Sequence, residues 1–441
     1  MPHELFEALE GGKLTRRQFL KALGLAAGAA VAGPALLARG QEEIVIGALG
    51  PVGIFVGKGI QYGAQLAVEE INARGGVLGR PIRLEIADTK MDPGVGVAAV
   101  EDLVITRKAK MLVGLFRSEV VMAALPTVAR LKVPLFIVGS TFPGATQRVA
   151  EDYDTYKYIF RPMLNGNFLG VNLIEFSTVY LAGWLIAKGL LRNNRVAIVA
   201  EDLLWVKPLV GLLQQTLPQV GAEIVDTYLP AVGTTDFSPI LADIEGKDAA
   251  ATITIFSDPT MVPFVPTWAK MEVPTGLFGI NAPFHAPQTC FGIGGLAEGI
   301  VEVEPSGGRT AITAKTIPFF DAYTERFGEE PVYTSFITYD SVYLWAEAVE
   351  KAGTPEPDKV IPFIEGTDWV GATGRIQFYG KDPTAEDPKY GRYAFPHDSK
   401  YGPGLIYPVH VQFREGCVKE IIWPFEYATG SYLLPPWMRR G

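Results

Sequence analysis

Cysteine and histidine are scarce in this chain. Among 441 residues there are two cysteines, Cys290 and Cys417, and four histidines. Two thiols cannot build a disulfide framework or a zinc cluster, and so few imidazoles leave little for a metal enzyme, so neither metal nor cofactor is expected. Signatures of catalysis are missing as well, with no HExxH, CxxC or GxSxG in the sequence. The stretch Gly50–Gly59 imitates a phosphate loop, but Val52 stands where its first glycine belongs and Gly59 where Ser or Thr belongs. Positive charge is in deficit: 39 Lys and Arg face 48 Asp and Glu, a formal net of −9. A dominant nucleic-acid or anionic-membrane surface therefore has no electrostatic support. A hydrophobic share of 48% against 20% charged excludes disorder, and the length suits two to three domains.

What is present begins with an address. Thr15-Arg16-Arg17-Gln18-Phe19-Leu20-Lys21 precedes an uncharged run, Ala22 to Ala38, of mostly Ala, Gly, Leu and Val. A basic segment followed by a short apolar one reads as a leader, and Arg16-Arg17 marks the twin-arginine export route. The run is marginal for a span of about 20 residues and rich in small side chains, so removal is expected rather than anchoring. Ala38 and Gly40 fit cleavage before Gln41, and no cysteine is there to take a lipid. Export would permit a Cys290–Cys417 bond. Nothing in the sequence brings the two together, and two separate buried thiols are the expectation.

Past the leader, strands and helices alternate. Ile44–Ala48 is a compact apolar run. Ile60, Ala64, Ala67 and Ile71 then recur at helical spacing before Gly75-Gly76, and Ile82, Leu84 and Ile86 alternate with Arg83 and Glu85. A helix near 94–108, a strand at 111–115, a helix near 119–131 and a strand at 134–138 follow. The rhythm returns with strands at 195–200, 223–229, 251–256 and 276–280. Lys381 to Gly404, rich in Pro, Gly, Tyr and Asp, reads as a long surface loop before a hairpin of 407–413 and 418–423. Two such blocks imply an α/β fold of two doubly wound lobes with parallel sheets. In such sheets ligands bind beyond the carboxyl ends of the strands, here the loops 49–57, 116–119, 139–143, 201–205, 257–260 and 281–285.

Each loop offers chemistry with a plainer alternative. Ser118 opens a helix, so it could cradle an anion or serve only as a cap. Arg117 could clamp a carboxylate, or face solvent paired to Glu119 or Asp88. Ser140 and Thr141 could supply further hydroxyls or cap. Trp205 could stack on a ligand or pack in the core. Asp258-Pro259 has the form of a helix start, and His285, alone among Pro and Phe, reads as structural.

From Glu43 to Trp437 the chain resembles the type I periplasmic solute-binding proteins of ABC transporters, in the branched-chain amino acid and amide-binding group. The resemblance rests on IVIGALGPVG (44–53), GAQLAVEEINARGGVLGRPIRLEIADT (63–89), Asp92-Pro93, VPLFIVGST (133–141), YIFRP (158–162), TDFSPIL (235–241), YDSVYLWAEAVEKAG (339–353) and the terminal ATG…PPW (428–437). It implies two lobes joined by a three-strand hinge: 41–160 with 301–373, and 161–300 with 374–430, leaving 431–441 as a tail. The crossovers would lie near Phe160–Pro162, Ile300–Pro305 and Gly374–Phe378.

By resemblance the ligand carboxylate is held by hydroxyls at the positions of Ser118 and Thr141, and Trp205 closes over the ligand. Phe256, Ser257 and Asn281 fall near the strand ends that face it. Family members binding α-amino acids have a carboxylate where Asn281 stands, and usually a small or neutral residue where Arg117 stands. A buried ammonium without a counter-charge is costly, so both departures favour a carboxylate or an amide, while replacement of the missing acid by Asp202, Asp258 or Glu119 would keep a branched-chain amino acid as a ligand. The implied partners are a small solute, a membrane permease and, during export, the twin-arginine translocase, with no nucleic acid. The implied place is periplasmic or extracytoplasmic. A ligand-sensing subunit on the same fold is the alternative, and an enzyme is not expected.

Overall fold

The computed structural model describes residues 42–304 and 309–439. The leader with Arg16 and Arg17 lies outside the described residues. β1 (Ile44–Gly50) is buried along its whole length, as expected of a strand covered on both faces. Its side chains alternate: Ile44, Ile46 and Ala48 join one core, Val45 and Leu49 another. After β1 come α1 (Phe55–Ala73), β2 (Ile82–Asp88), β3 (Leu112–Phe116), α2 (Ser118–Leu131), β4 (Leu135–Gly139) and β5 (Ile159–Phe160). These strands form a five-stranded parallel sheet in the order β2-β1-β3-β4-β5. The helix expected over 94–108 is α-helical only over Pro93–Glu101 and continues as a π-turn over Asp102–Thr106.

The second sheet starts after α3 (Gly166–Phe176). It holds β6 (Arg195–Ala200), β7 (Glu223–Tyr228), β8 (Ala251–Phe256), β9 (Gly276–Asn281) and β10 (Val301–Glu304), with the antiparallel hairpin of β13 (Val409–Phe413) and β14 (Lys419–Trp423) at one edge. The order is β14-β13-β10-β9-β8-β6-β7, while β11 (Trp369–Val370) and β12 (Arg375–Ile376) pair by themselves. The two sheets repeat one local device. Gly114 on β3 and Gly279 on β9 have φ of +131° and +154°, and a Cβ at either would lie 2.0 Å from the carbonyl oxygen of Leu49 or Thr254 on the neighbouring strand. Only glycine permits that approach. Helix α4 (Val206–Thr216) covers one face of the second sheet, and α5 (Met261–Lys270) covers the other with Phe264, Val265 and Trp268 buried.

Three expectations change. β10 pairs with β9 and β13, so residues 301–304 belong to the second sheet and not to the first lobe. Cys290, in α6 (Pro287–Gly292), is bonded to Cys417 across 127 residues, replacing the two separate thiols expected. The segment 381–404 is not a surface loop: Tyr390, His397, Asp398, Ser399 and Tyr401 are buried. Its tyrosines carry the reason. Tyr390 and Tyr401, with Tyr407 beyond, donate their hydroxyls to Glu175, which ties a Gly- and Pro-rich stretch into the interior. The tail packs too, with Tyr432 buried and Trp437 set edge-on against Trp268.

That buried segment completes the junction between the sheets. Arg161 bridges Asp398, and Phe378 bridges Ser399. Arg161 is fully buried and donates from Nη1 to the Thr141 carbonyl (3.0 Å), from Nη2 to the Phe142 carbonyl (2.8 Å) and to Thr146 Oγ1 (3.2 Å). Its counter-ion Asp398 accepts from Thr146 Oγ1 (2.8 Å) and Asn165 Nδ2 (2.7 Å). The guanidinium thereby fixes the loop after β4 to the junction. Helix α7 (Tyr333–Ala352) packs along α1 beside the first sheet. Among the described residues no helix is long and apolar enough to cross a membrane.

Candidate functional site

The carboxyl ends of the two sheets face one another across a cleft of about 620 Å³, its open mouth included. From the first lobe come Phe116, Arg117, Ser118 and Glu119 after β3, Gly139, Ser140 and Thr141 after β4, and Tyr333 at the start of α7. The junction and α3 contribute Met163, Leu164 and Leu169, while the second lobe contributes Leu203, Trp205, Ser257, Ile280, Ala282 and His285.

Of the sequence-derived residues, Arg117, Ser118, Ser140, Thr141, Trp205 and Ser257 come together on this cleft. Phe256 and Asn281 do not line it. The cause is strand alternation: Ile255 and Ile280 belong to the core on the cleft side, so the next residues point to the opposite face. Phe256 is packed there near Phe264. Asn281 is buried with neither end of its amide hydrogen-bonded, although its backbone N–H donates to Glu302 Oε1 (2.9 Å).

Ser118 begins α2 and is buried, and its Oγ lies 3.0 Å from Ser140 Oγ. Two hydroxyls therefore meet at a helix N-terminus whose first N–H groups have no intrahelical partner. Facing them is an apolar wall of Met163, Leu164, Leu169, Leu203, Ile280 and Trp205. Trp205 is held by Nε1 donating to Glu201 Oε1 (3.0 Å) and Ser257 Oγ (3.2 Å). Glu201 organises this side of the cleft. Besides the indole it accepts from the Ser257 hydroxyl and N–H and from the Asp258 N–H (3.0 Å). Burial pushes its carboxyl up, and these donors pull the other way without reversing the shift.

Arg117 pairs with neither Glu119 nor Asp88. Its Nη2 lies 2.6 Å from Asp258 Oδ2 on the opposite lobe, and its Nε is buried without a partner. Asp258 also accepts from Thr260 N–H (3.3 Å) and Oγ1 (3.1 Å), so it retains part of the capping role its sequence suggested. Asp202 is exposed and paired to Lys207 (3.3 Å). His285 closes the floor, with Nε2 2.8 Å from Glu302 Oε1 and its ring edge-on to Tyr333. Burial works against the imidazolium, but the neighbouring Glu304 and Glu302 carboxylates outweigh it and carry the imidazole upward. The residues the sequence did not single out (Glu201, Glu302, Tyr333 and the three junction side chains) share a reason. None is announced by a local pattern, since Leu169 and Tyr333 stand on helices, Glu302 lies within β10, and Met163 and Leu164 follow the two-residue β5, except Glu201, which opens the loop 201–205.

Residues 44–391 match the periplasmic binding protein family model. A "Leucine-, isoleucine-, valine-, threonine-, and alanine-binding protein" of Pseudomonas aeruginosa is 24% identical over 367 residues, covering 80% of this chain and 90% of that one. Among solved structures, the branched-chain amino acid transporter substrate binding protein of Streptococcus pneumoniae, in complex with isoleucine, superposes with a TM-score of 0.70 at 22% identity, covering 87% of this chain and 100% of that one. A solute binding protein of an ABC transporter from Rhodopseudomonas palustris, in complex with 3,4-dihydroxybenzoic acid, gives 0.69 at 18% identity, covering 90% and 99%. On the match across residues 44–391, with two α/β lobes facing across a lined cleft, the chain belongs to the periplasmic binding protein family.

Proposed function

We propose that this chain is the extracytoplasmic binding protein of an ABC importer, and that it captures a small carboxylate or amide with an apolar body and presents it to a membrane permease. A branched-chain amino acid is the second solute class, since relatives of both kinds exist. The observation that carries the reading is the Ser118–Ser140 hydroxyl pair at the N-terminus of α2, set against an apolar wall from the other lobe. Thr141 and the Arg117 guanidinium extend the polar end, and Ser257 and Trp205 bound the apolar one. The lobes on this reading are 42–160 with 309–373, and 161–304 with 374–439, and the twin-arginine leader delivers the folded protein to its compartment.

The energetics are sufficient without covalent chemistry. Micromolar binding needs about 8 kcal/mol. Hydrogen bonds to a charged group contribute about 1.5–3 kcal/mol each, and each 100 Å² of buried apolar solute surface adds about 2.5 kcal/mol, against ordering costs of several kcal/mol. Closure follows because the solute touches both lobes only when they meet. The test is titration calorimetry with 3,4-dihydroxybenzoate and leucine on wild type, Ser118→Ala and Thr141→Ala. Each variant is expected to weaken carboxylate binding tenfold or more. Unchanged affinity in both would dismiss this site, and an α-amino acid released from the freshly exported protein on denaturation would count against the carboxylate preference.

A further inference from the structure

We infer that Asp258 is a positioning residue: it holds Arg117 across the cleft so that lobe closure and recognition of the solute carboxylate run through one guanidinium. The pair joins opposite lobes over 141 positions of sequence, with Nη2 2.6 Å from Oδ2. The two side chains are 21% and 12% exposed, so solvent screens this pair less than it screens an exposed surface pair.

Both partners are prepared for the contact. Asp258 is fixed before Arg117 arrives, because Thr260 donates to its Oδ1 twice and Glu201 Oε2 holds its backbone N–H. Arg117 has φ 63° and ψ 130°, a conformation costly for any residue with a Cβ, which aims the side chain across the gap. From the same turn, Glu119 Oε1 accepts the Leu204 N–H (3.3 Å) of the second lobe. One turn of the first lobe thus bonds twice to the second, once through the Arg117 guanidinium and once through the Glu119 carboxylate.

The guanidinium is left with work undone. Arg117 lines the cleft, and its Nε is buried with no acceptor. A buried N–H without a partner is destabilising, and an anionic oxygen in the cleft would satisfy it with a charge-assisted bond. That geometry exists only while Asp258 holds Nη2. It also disfavours a solute cation at this end. This second half rests on the carboxylate reading above, and the latch does not.

The test combines small-angle scattering of the leader-free protein with calorimetry, using 3,4-dihydroxybenzoate and leucine as probes. Asp258→Asn is expected to enlarge the solute-free particle and to weaken 3,4-dihydroxybenzoate binding at least tenfold. Arg117→Gln serves as a second variant and should open the lobes in the same way. The exchange Arg117→Asp with Asp258→Arg should return the compact scattering curve, a rescue that a merely structural role for either residue would not give. Compact, wild-type-like scattering and unchanged affinity in Asp258→Asn would overturn the inference. If wild type bound neither probe while Asp258→Asn still opened, the carboxylate half and the reading beneath it would fall and the latch would stand.

Discussion

Breaking the Cys290–Cys417 bond should loosen the second lobe by a large and calculable amount. The bond closes a loop of 127 residues. The chain-entropy relation for such a loop gives about 5 kcal/mol as a ceiling, and native disulfides contribute about 2–5 kcal/mol. Both sulfurs lie within the second core, against α5 and β13, so the constraint acts on packed structure and not on a frayed end. A unit of 150–250 residues shifts by roughly 2–4 °C per kcal/mol, so the ceiling corresponds to at least about 10 °C in the melting of that lobe. Scanning calorimetry of the oxidised protein with and without reductant, beside a Cys290→Ala/Cys417→Ala variant, measures it. The variant should melt like the reduced wild type and ignore the reductant. Binding should weaken in step, because α6 continues the turn that carries Ala282 and His285 into the cleft. Superimposable melts of oxidised and reduced wild type, or two titratable thiols in the exported protein, would refute the reasoning.

Acid should destabilise the fold through His410. Burial against Phe176 and Trp423 pushes its pKa down to about 3 from 6.5, with one ring nitrogen held by Asn172. The unfolded chain then binds a proton below 6.5 that the folded chain refuses until about 3. Stability is therefore lost as pH falls through that window, by about 2 kcal/mol at pH 5, and His410→Gln should flatten this limb of a denaturation–pH curve. An identical slope in wild type and variant would dismiss the assignment. Arg161→Met should cost about 3–5 kcal/mol in chemical denaturation, because it strands the buried Asp398 carboxylate, and adding Asp398→Asn should recover part of the loss. A single variant as stable as wild type would show that the junction does not depend on this pair.

How much of this was legible in the sequence depended on whether the signal was local. The alternation of Ile44, Ile46 and Ala48 with Val45 and Leu49 records two covered faces, and the spacing of Ile60, Ala64, Ala67 and Ile71 records one helix stripe. From such patterns, strands β1 to β4, β6 to β9 and the terminal hairpin follow to within two residues at either end, and so do the loops that can reach a ligand, while the two-residue β5 does not. Ser118, Ser140, Thr141, Trp205 and Ser257 were found because each lies between the end of a strand and the first turn of the helix that follows.

The rest needed the chain folded. At Phe256 and Asn281 an offset of one residue put the side chain on the wrong face, since a strand's period of two leaves no margin at its end. The composition of 381–404 signals a loop, and it is turned into interior by the contacts of Tyr390 and Tyr401 with Glu175 and of Asp398 with Thr146 and Asn165. Composition and periodicity determined two parallel α/β sheets and which loops top them, because those signals span a few residues. Tertiary structure alone decided that Cys290 meets Cys417, that Arg161 meets Asp398, and that Arg117 reaches Asp258, because contacts made across more than a hundred residues are specified by how the layers close and by nothing in the neighbouring sequence.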